Sequence, residues 1–393
     1  MSRQRNLTAI LGLFGFFGTI AWGLYTFALR HEAGPDWMVF YSAARAYLDG
    51  NLSLIFDGER FTDALNARFA DWLATPLVFL PWVNPPNFLL FILPFGLLPF
   101  GFAYALFEAF NFAALLAALR LWAKERARWR LFAFALAFCP ATAFTIFVGQ
   151  SSFLTAALLL GGFALLTRRP IVAGMLFGIL GYKPQFCLMI PIALLAERQG
   201  RAMLSAAATV VALVGVSALL FGIEPWRQWF DFVRGASELY QHWAATARFT
   251  EQSVYACVLL LGGSAVTANL TQMVAMIFAG CSVYWCYRRP MRRDLRLAVL
   301  LTASLLAAPH VSTADGLLAP VAAMLLLGVA LDEGFQPADT PLIILMWLCP
   351  LASPPGFLGI GLAIPLLLAF FIAWIARRDA GVPIAARPAP RVV

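Results

Sequence analysis

Apolar residues in this chain come in long continuous runs, with neither the alternation of a strand nor the narrow stripe of a soluble helix. The stretch from Leu7 to Leu29 contains no charged residue. A helix needs about 20 mostly apolar residues to cross a hydrocarbon core about 30 Å thick. On that criterion the pattern predicts spans near 7–29, 101–122, 131–148, 151–167, 202–222, 267–287, 295–309, 313–331, 341–353 and 357–376. A further span over 171–196 is split into 171–181 and 185–196 by Gly181-Tyr182-Lys183-Pro184. Continuous runs of this kind exclude a β-barrel, whose strands alternate between lipid and lumen. The expected fold is an all-α polytopic membrane protein with about 10–13 membrane helices, formed by residues 1–376 as one domain.

Two shorter apolar segments do not fit a simple crossing. Residues 86–98 are punctuated by Pro94 and lie between Pro85-Pro86 and Pro99, and residues 254–262 are too brief. Segments this short are expected to be re-entrant or interfacial. Two long polar-rich connections remain. One, over 30–85, mixes Asp, Glu, Arg, Trp and Phe at helical spacing and predicts amphipathic helices lying on the bilayer. The other, over 222–252, carries Trp226, Trp229, Phe230, Phe232, Tyr240 and Trp243, as interface anchors or as a surface for stacking sugars. Gly12, Gly15 and Gly18 of the first span, and Gly174 with Gly178, are expected to be close-packing residues.

Charge orients the chain. Most of the 28 Lys and Arg residues fall in clusters, such as Arg120–Lys124–Arg126–Arg128–Arg130 and Arg288–Arg289–Arg292–Arg293–Arg296, which can all lie on the cytoplasmic side. Both termini are then cytoplasmic, and residues 377–393 form a disordered cytoplasmic tail. The first run is too long and aromatic for a secretory signal and is expected to be retained as a helix.

The composition agrees: 62% of residues are hydrophobic and 12% charged, where soluble domains carry about 25% charged residues. The net charge of +8 follows from arginines at cytoplasmic helix edges, and no nucleic-acid-binding motif accompanies it. The six cysteines lie in or beside apolar runs at no metal-ligand spacing. Neither a metal nor another cofactor is indicated.

Ionisable groups inside apolar runs are costly and commonly functional. Four places stand out: Asp36 after the first span, Gly149-Gln150, and His310 with Asp315 nearby, expected on the outer face, and Lys183 at the break, which reaches that face only if the 171–181 half-helix carries it there. Each has a plain structural alternative. Asp36 can cap a helix beginning at Trp37. Lys183 needs an anion, either an acid of this protein or a lipid phosphate. His310 can be a satisfied core histidine or a ligand.

In order, Asp36, Phe40-Tyr41-x-Ala43-Ala44-x-Ala46, Gly50, Pro85-Pro86, Gly149-Gln150, Lys183-Pro184-Gln185, Pro309-His310 and Asp315 resemble glycosyltransferase family 87, the polyprenol-phosphate-mannose-dependent enzymes of bacteria. The likeness extends over about residues 30 to 330. It departs from the family pattern at Val83-Asn84, where a Tyr often precedes the Pro pair, and at Thr313-Ala314 before Asp315. The resemblance implies a GT-C-type helix bundle in a bacterial inner membrane, with the site facing the periplasm. It implies inverting transfer of mannose or a related sugar from a polyprenyl phosphate to a glycolipid, polysaccharide or protein acceptor. Asp36 would be the base and His310 a second catalytic group. Lys183, Gln150, Arg45 and Tyr41 would serve the donor phosphate or lipid, and Gln185 and Asp315 the acceptor or a supporting role. A transporter or flippase for a lipid-linked solute is the alternative that the split span and Lys183 also suit.

Overall fold

The computed structural model describes residues 2–123, 125–245, 251–352 and 362–380. In chain order its helices are α1 Ser2–Glu32, α2 Pro35–Leu48, α3 Gly58–Arg68, α4 Leu89–Ile92, α5 Phe100–Trp122 and α6 Arg126–Ala137. Then come α7 Pro140–Val148, α8 Ser152–Leu165, α9 Pro170–Ile179, α10 Met189–Ala196, α11 Gly200–Phe221 and α12 Glu224–Ala245. The last six are α13 Val254–Leu260, α14 Ala265–Arg288, α15 Arg293–Ala307, α16 Leu318–Glu333, α17 Asp339–Leu348 and α18 Ile364–Ala380. Among the described residues the isolated β-bridge is one antiparallel pairing, Glu251 with Ser312.

The chain is an all-α polytopic membrane protein. Among the described residues, five helical segments are long and apolar enough to cross a bilayer: Arg3–Thr26, α5, α11, α14 and Thr313–Glu333. The expected span 131–148 is two helices, α6 and α7, that meet at 55°. Pro140 explains the bend, because its ring collides with the preceding turn and it has no N–H to continue the ladder. Residues 171–196 split as expected: α9 runs into a 3₁₀ turn, Leu180–Tyr182, and a second turn, Pro184–Cys187, leads into α10.

Burial sorts the helices into axis and wall. The Thr313–Glu333 segment is 94% buried, whereas α11 is 11% buried. Lipid accepts a helix apolar all round as readily as a protein core does, so burial and not composition marks α16 as the axis, flanked by α15. The wall helices α11 and α14 turn Leu204, Val211, Leu219, Leu270 and Val274 outward. Gly174 and Gly178 let α9 press on α11: a Cβ on Gly178 would stand 2.5 Å from Thr209 Cβ. Gly18 likewise meets the Phe138 backbone, whereas Gly12 and Gly15 meet nothing.

The connection over 30–85 folds back on the protein. In α2, Trp37, Met38, Val39, Phe40, Ala43 and Ala44 are all buried. The amphipathic α3 buries Phe61 and Leu65, so protein covers its apolar side. The turn after Pro85 stacks Phe88 on Tyr182, ring centres 4.9 Å apart, beside the Lys183 break. In α12 two aromatics act as braces. The Trp226 indole donates to Ser217 Oγ at 3.1 Å and that of Trp229 to the Val83 carbonyl at 3.1 Å. The side chains of Tyr240 and Trp243 fall outside the described residues. Residues 377–380 of the expected tail belong to α18, which runs to Ala380 and buries Arg378; its remainder, 381–393, lies outside the described residues.

Candidate active site

Asp36 is placed by a glycine corner. Gly34 has φ +83° and its N–H donates to the Phe147 carbonyl at 2.8 Å, fastening the corner to the end of α7. Pro35 then opens α2, as its fixed φ suits a first helical position. The N-cap is therefore Gly34, and the expectation that Asp36 caps a helix from Trp37 is corrected: Asp36 lies inside the first turn. There a carboxylate faces the positive end of the helix dipole.

Its partner comes from 114 residues away: Gln150 Nε2 donates to Asp36 Oδ2 at 2.8 Å. The amide orientation is dictated on its other side, where Gln150 Oε1 accepts from Ser151 N–H at 2.9 Å and Ser151 Oγ at 3.1 Å. Gly149 makes this approach possible. It ends α7 with φ +76°, and a Cβ there would overlap Trp37 Cβ and stand 3.1 Å from Tyr104 Cε2.

Lys183 has found an anion of the protein itself. Its Nζ lies 2.6 Å from Asp315 Oδ1, with the two side chains 5% and 3% exposed. Ser152 Oγ donates to Asp315 Oδ1 at 3.2 Å and Ser312 Oγ to Oδ2 at 3.1 Å. Ser152 follows the Gln150-Ser151 pair directly, so one short stretch at the start of α8 touches both acids' surroundings.

His310 sits in the segment between α15 and the 3₁₀ turn Thr313–Leu317. Its Nδ1 is 3.0 Å from Glu251 Oε2. The same oxygen accepts the Val311 N–H at 2.8 Å, and the Gln252 N–H donates to the Val311 carbonyl at 2.9 Å. Glu251 was not singled out from the sequence. Its one local signal was an acid at the end of the 222–252 connection, just before the short 254–262 run.

The groups share one electrostatic environment. Burial pushes Asp36 up to about 6; the Lys183 charge and the Gln150 hydrogen bond oppose this, and Asp315 and Glu251 add to it. Burial disfavours a charged His310, but the Glu251 charge and hydrogen bond, with Asp315, outweigh it and raise the imidazole above its ordinary value. Asp36, Gln150 and His310 are partly exposed, whereas Lys183 and Asp315 are buried.

Three expected residues are not brought into this cluster. Arg45 pairs with Asp49 at 2.7 Å and stands nine residues along α2 from Asp36, a helical rise of about 13 Å. Tyr41 donates its hydroxyl to the Leu98 carbonyl at 2.9 Å, bracing α2 on the turn that precedes α5. Gln185 is partly exposed in the turn after Lys183 and, among the described residues, its side chain makes no hydrogen bond to these groups. Among the described residues no three His, Cys, Asp or Glu side chains are grouped as metal ligands.

The family model described as Glycosyltransferase family 87 matches residues 82–313. That stretch contains Gln150, Lys183, Glu251 and His310; Asp315 lies just past its end, and Asp36 lies well before its start. No curated protein and no solved structure matches the chain.

Proposed function

Because the chain belongs to glycosyltransferase family 87, we propose that it transfers a sugar from a polyprenyl phosphate to an acceptor hydroxyl on the outer face of the membrane, with inversion and with Asp36 as base. The observation that carries this reading is the Asp36–Gln150 contact: a partly exposed carboxylate held by a neutral amide, beside a buried Lys183–Asp315 pair and a Glu251-held histidine.

In one displacement the acceptor oxygen bonds to the anomeric carbon as the bond to the phosphate oxygen breaks. The acceptor proton passes to Asp36, and the electron pair leaves on the lipid phosphate. A base works best when its proton affinity lies near the working pH, and Asp36, raised to about 6, meets that condition. The leaving charge needs a fixed positive group. Lys183 is buried and already neutralised by Asp315, so the role falls on the imidazolium of His310. The Lys183–Asp315 pair then anchors the frame behind it. Mannose or a related sugar is the expected cargo.

The reading predicts a bell-shaped pH profile. Transfer rises as Asp36 loses its proton through about pH 6 and falls as His310 loses its own above the ordinary histidine range. The decisive test is Asp36→Asn in purified protein in nanodiscs, assayed with polyprenyl-phosphate sugars and candidate acceptors. The expected result is a loss of about 10²-fold or more with unchanged melting; unaltered transfer removes Asp36 as base. Movement of lipid-linked sugar across vesicles without transfer would put the transporter reading in its place.

A further inference from the structure

We infer that Glu251 is a positioning residue of this site: it stands against Nδ1 of His310 and holds the imidazole as the cation that meets the leaving phosphate, which makes the end of the 222–252 connection a working part of the active site. The inference rests on the role proposed above for His310.

The geometry argues for more than a loop tie. His310 has no helix to set its direction, since α15 ends at Ala307 and the next turn begins at Thr313. What sets it is a clamp from a distant segment. The Glu251–Ser312 bridge and the Gln252 N–H bond to the Val311 carbonyl hold the two backbones together. On that clamp Glu251 Oε2 takes both the Val311 N–H at 2.8 Å and the His310 Nδ1 contact at 3.0 Å. The backbone bond alone would be enough to fasten the loop. The imidazole contact adds a charge partner beside Nδ1.

Charge accounting assigns this partner its role. The groups whose charges act on His310 are Glu251 from this segment, Asp315 from the turn before α16, and Lys183 from the break between α9 and α10. Lys183 and Asp315 lie 2.6 Å apart and largely cancel one another at a distance. Glu251 is then the charge in direct contact that favours an imidazolium. Exposure separates the two cations: the His310 side chain is 24% exposed and that of Lys183 5%. Of these two, His310 can meet an incoming phosphate without parting a buried ion pair.

The test is Glu251→Gln, which keeps an oxygen for the Val311 N–H and removes the charge, alongside Glu251→Asp, which keeps the charge. Histidine-labelled protein in nanodiscs is titrated by NMR; the chain has three histidines, and His310→Gln identifies the resonance. The expected result is proton binding by His310 weakened about tenfold or more in Glu251→Gln, partly restored in Glu251→Asp. The falling limb of the transfer pH profile should move down by the same interval, in kcat more than in acceptor KM. A His310 titration that stays in place in Glu251→Gln overturns the inference. So does one that moves while the falling limb does not. The NMR measurement needs no turnover, so failure of the transferase reading, judged by Asp36→Asn, is told apart from failure of the Glu251–His310 coupling.

Discussion

The two ends of α16 carry polar clusters of opposite kinds. They are separated by a helix of 16 residues, about 24 Å of rise. At the far end every acid meets an arginine. Arg128 and Arg292 hold Asp332, Arg292 and Arg378 each reach Glu333 at 3.0 Å, and Arg378 Nε grips both oxygens of Asp339. Trp374 adds an indole N–H to Asp339 at 2.9 Å. At the near end, among the described residues, Asp315 meets Lys183, Glu251 meets His310, and Asp36 is met by a neutral amide. A saturated network holds helices together and leaves no group with unspent proton affinity. An acid in excess of its cations keeps a carboxylate basic, which is what a proton-accepting site requires.

Four measurements would break or sharpen this contrast. The largest effect is expected at the saturated end. Arg378→Met leaves Asp339 charged and buried, and stability should fall by about 3–5 kcal/mol, read by unfolding in micelles, with transfer per folded molecule unchanged. A strong loss of turnover with intact melting would erase the division between the two ends.

At the near end Lys183→Met should cost a comparable amount, because it strands Asp315. The double variant Lys183→Met/Asp315→Leu should recover most of that stability, since replacing a whole buried pair by apolar groups is often near neutral. If the double variant is stable yet its donor KM stays high, Lys183 contacts the phosphate directly and the frame-only role is wrong.

Next comes Gly149→Ala. A left-handed conformation costs an L-residue about 1–2 kcal/mol, and the added methyl would also overlap Trp37. Both stability and turnover should drop, because Gln150 can no longer reach Asp36 without displacing α2. Retained turnover in this variant would detach Gln150 from the mechanism.

The smallest effect is expected for Gln150→Leu. The Gln150 hydrogen bond favours the ionised form of Asp36, so its loss should push the rising limb to higher pH by about one unit. A rising limb that stays near pH 6 would mean that another group sets it.

Much of the bundle was legible from the sequence, and the reasons are local. Run length marked the apolar helices, and Lys183-Pro184 marked the split between α9 and α10. Pro140 was as visible as Pro184, yet the bend between α6 and α7 was missed because the run across it is unbroken in hydropathy. The burial of α2 was hidden for a related reason: Asp36, Arg45 and Asp49 make the segment look amphipathic, while the neighbours that cover Phe40 and Ala44 come from elsewhere. Of the site, Asp36, Gln150, Lys183, His310 and Asp315 were visible as polar groups among apolar neighbours. Glu251 was not, because an acid in a polar connection carries no such contrast.

By itself the sequence determined the membrane class, the places where helices must break, and the short roster of polar groups left at membrane depth. Those features follow from transfer free energy and backbone stereochemistry, which act over one turn or one span. Only the tertiary structure decided who pairs with whom: Lys183 with Asp315 across 132 residues, Gln150 with Asp36 across 114, and His310 with Glu251. Charges and hydrogen bonds select partners by distance in space, and in a bundle of this kind spatial neighbours are set by packing around α16.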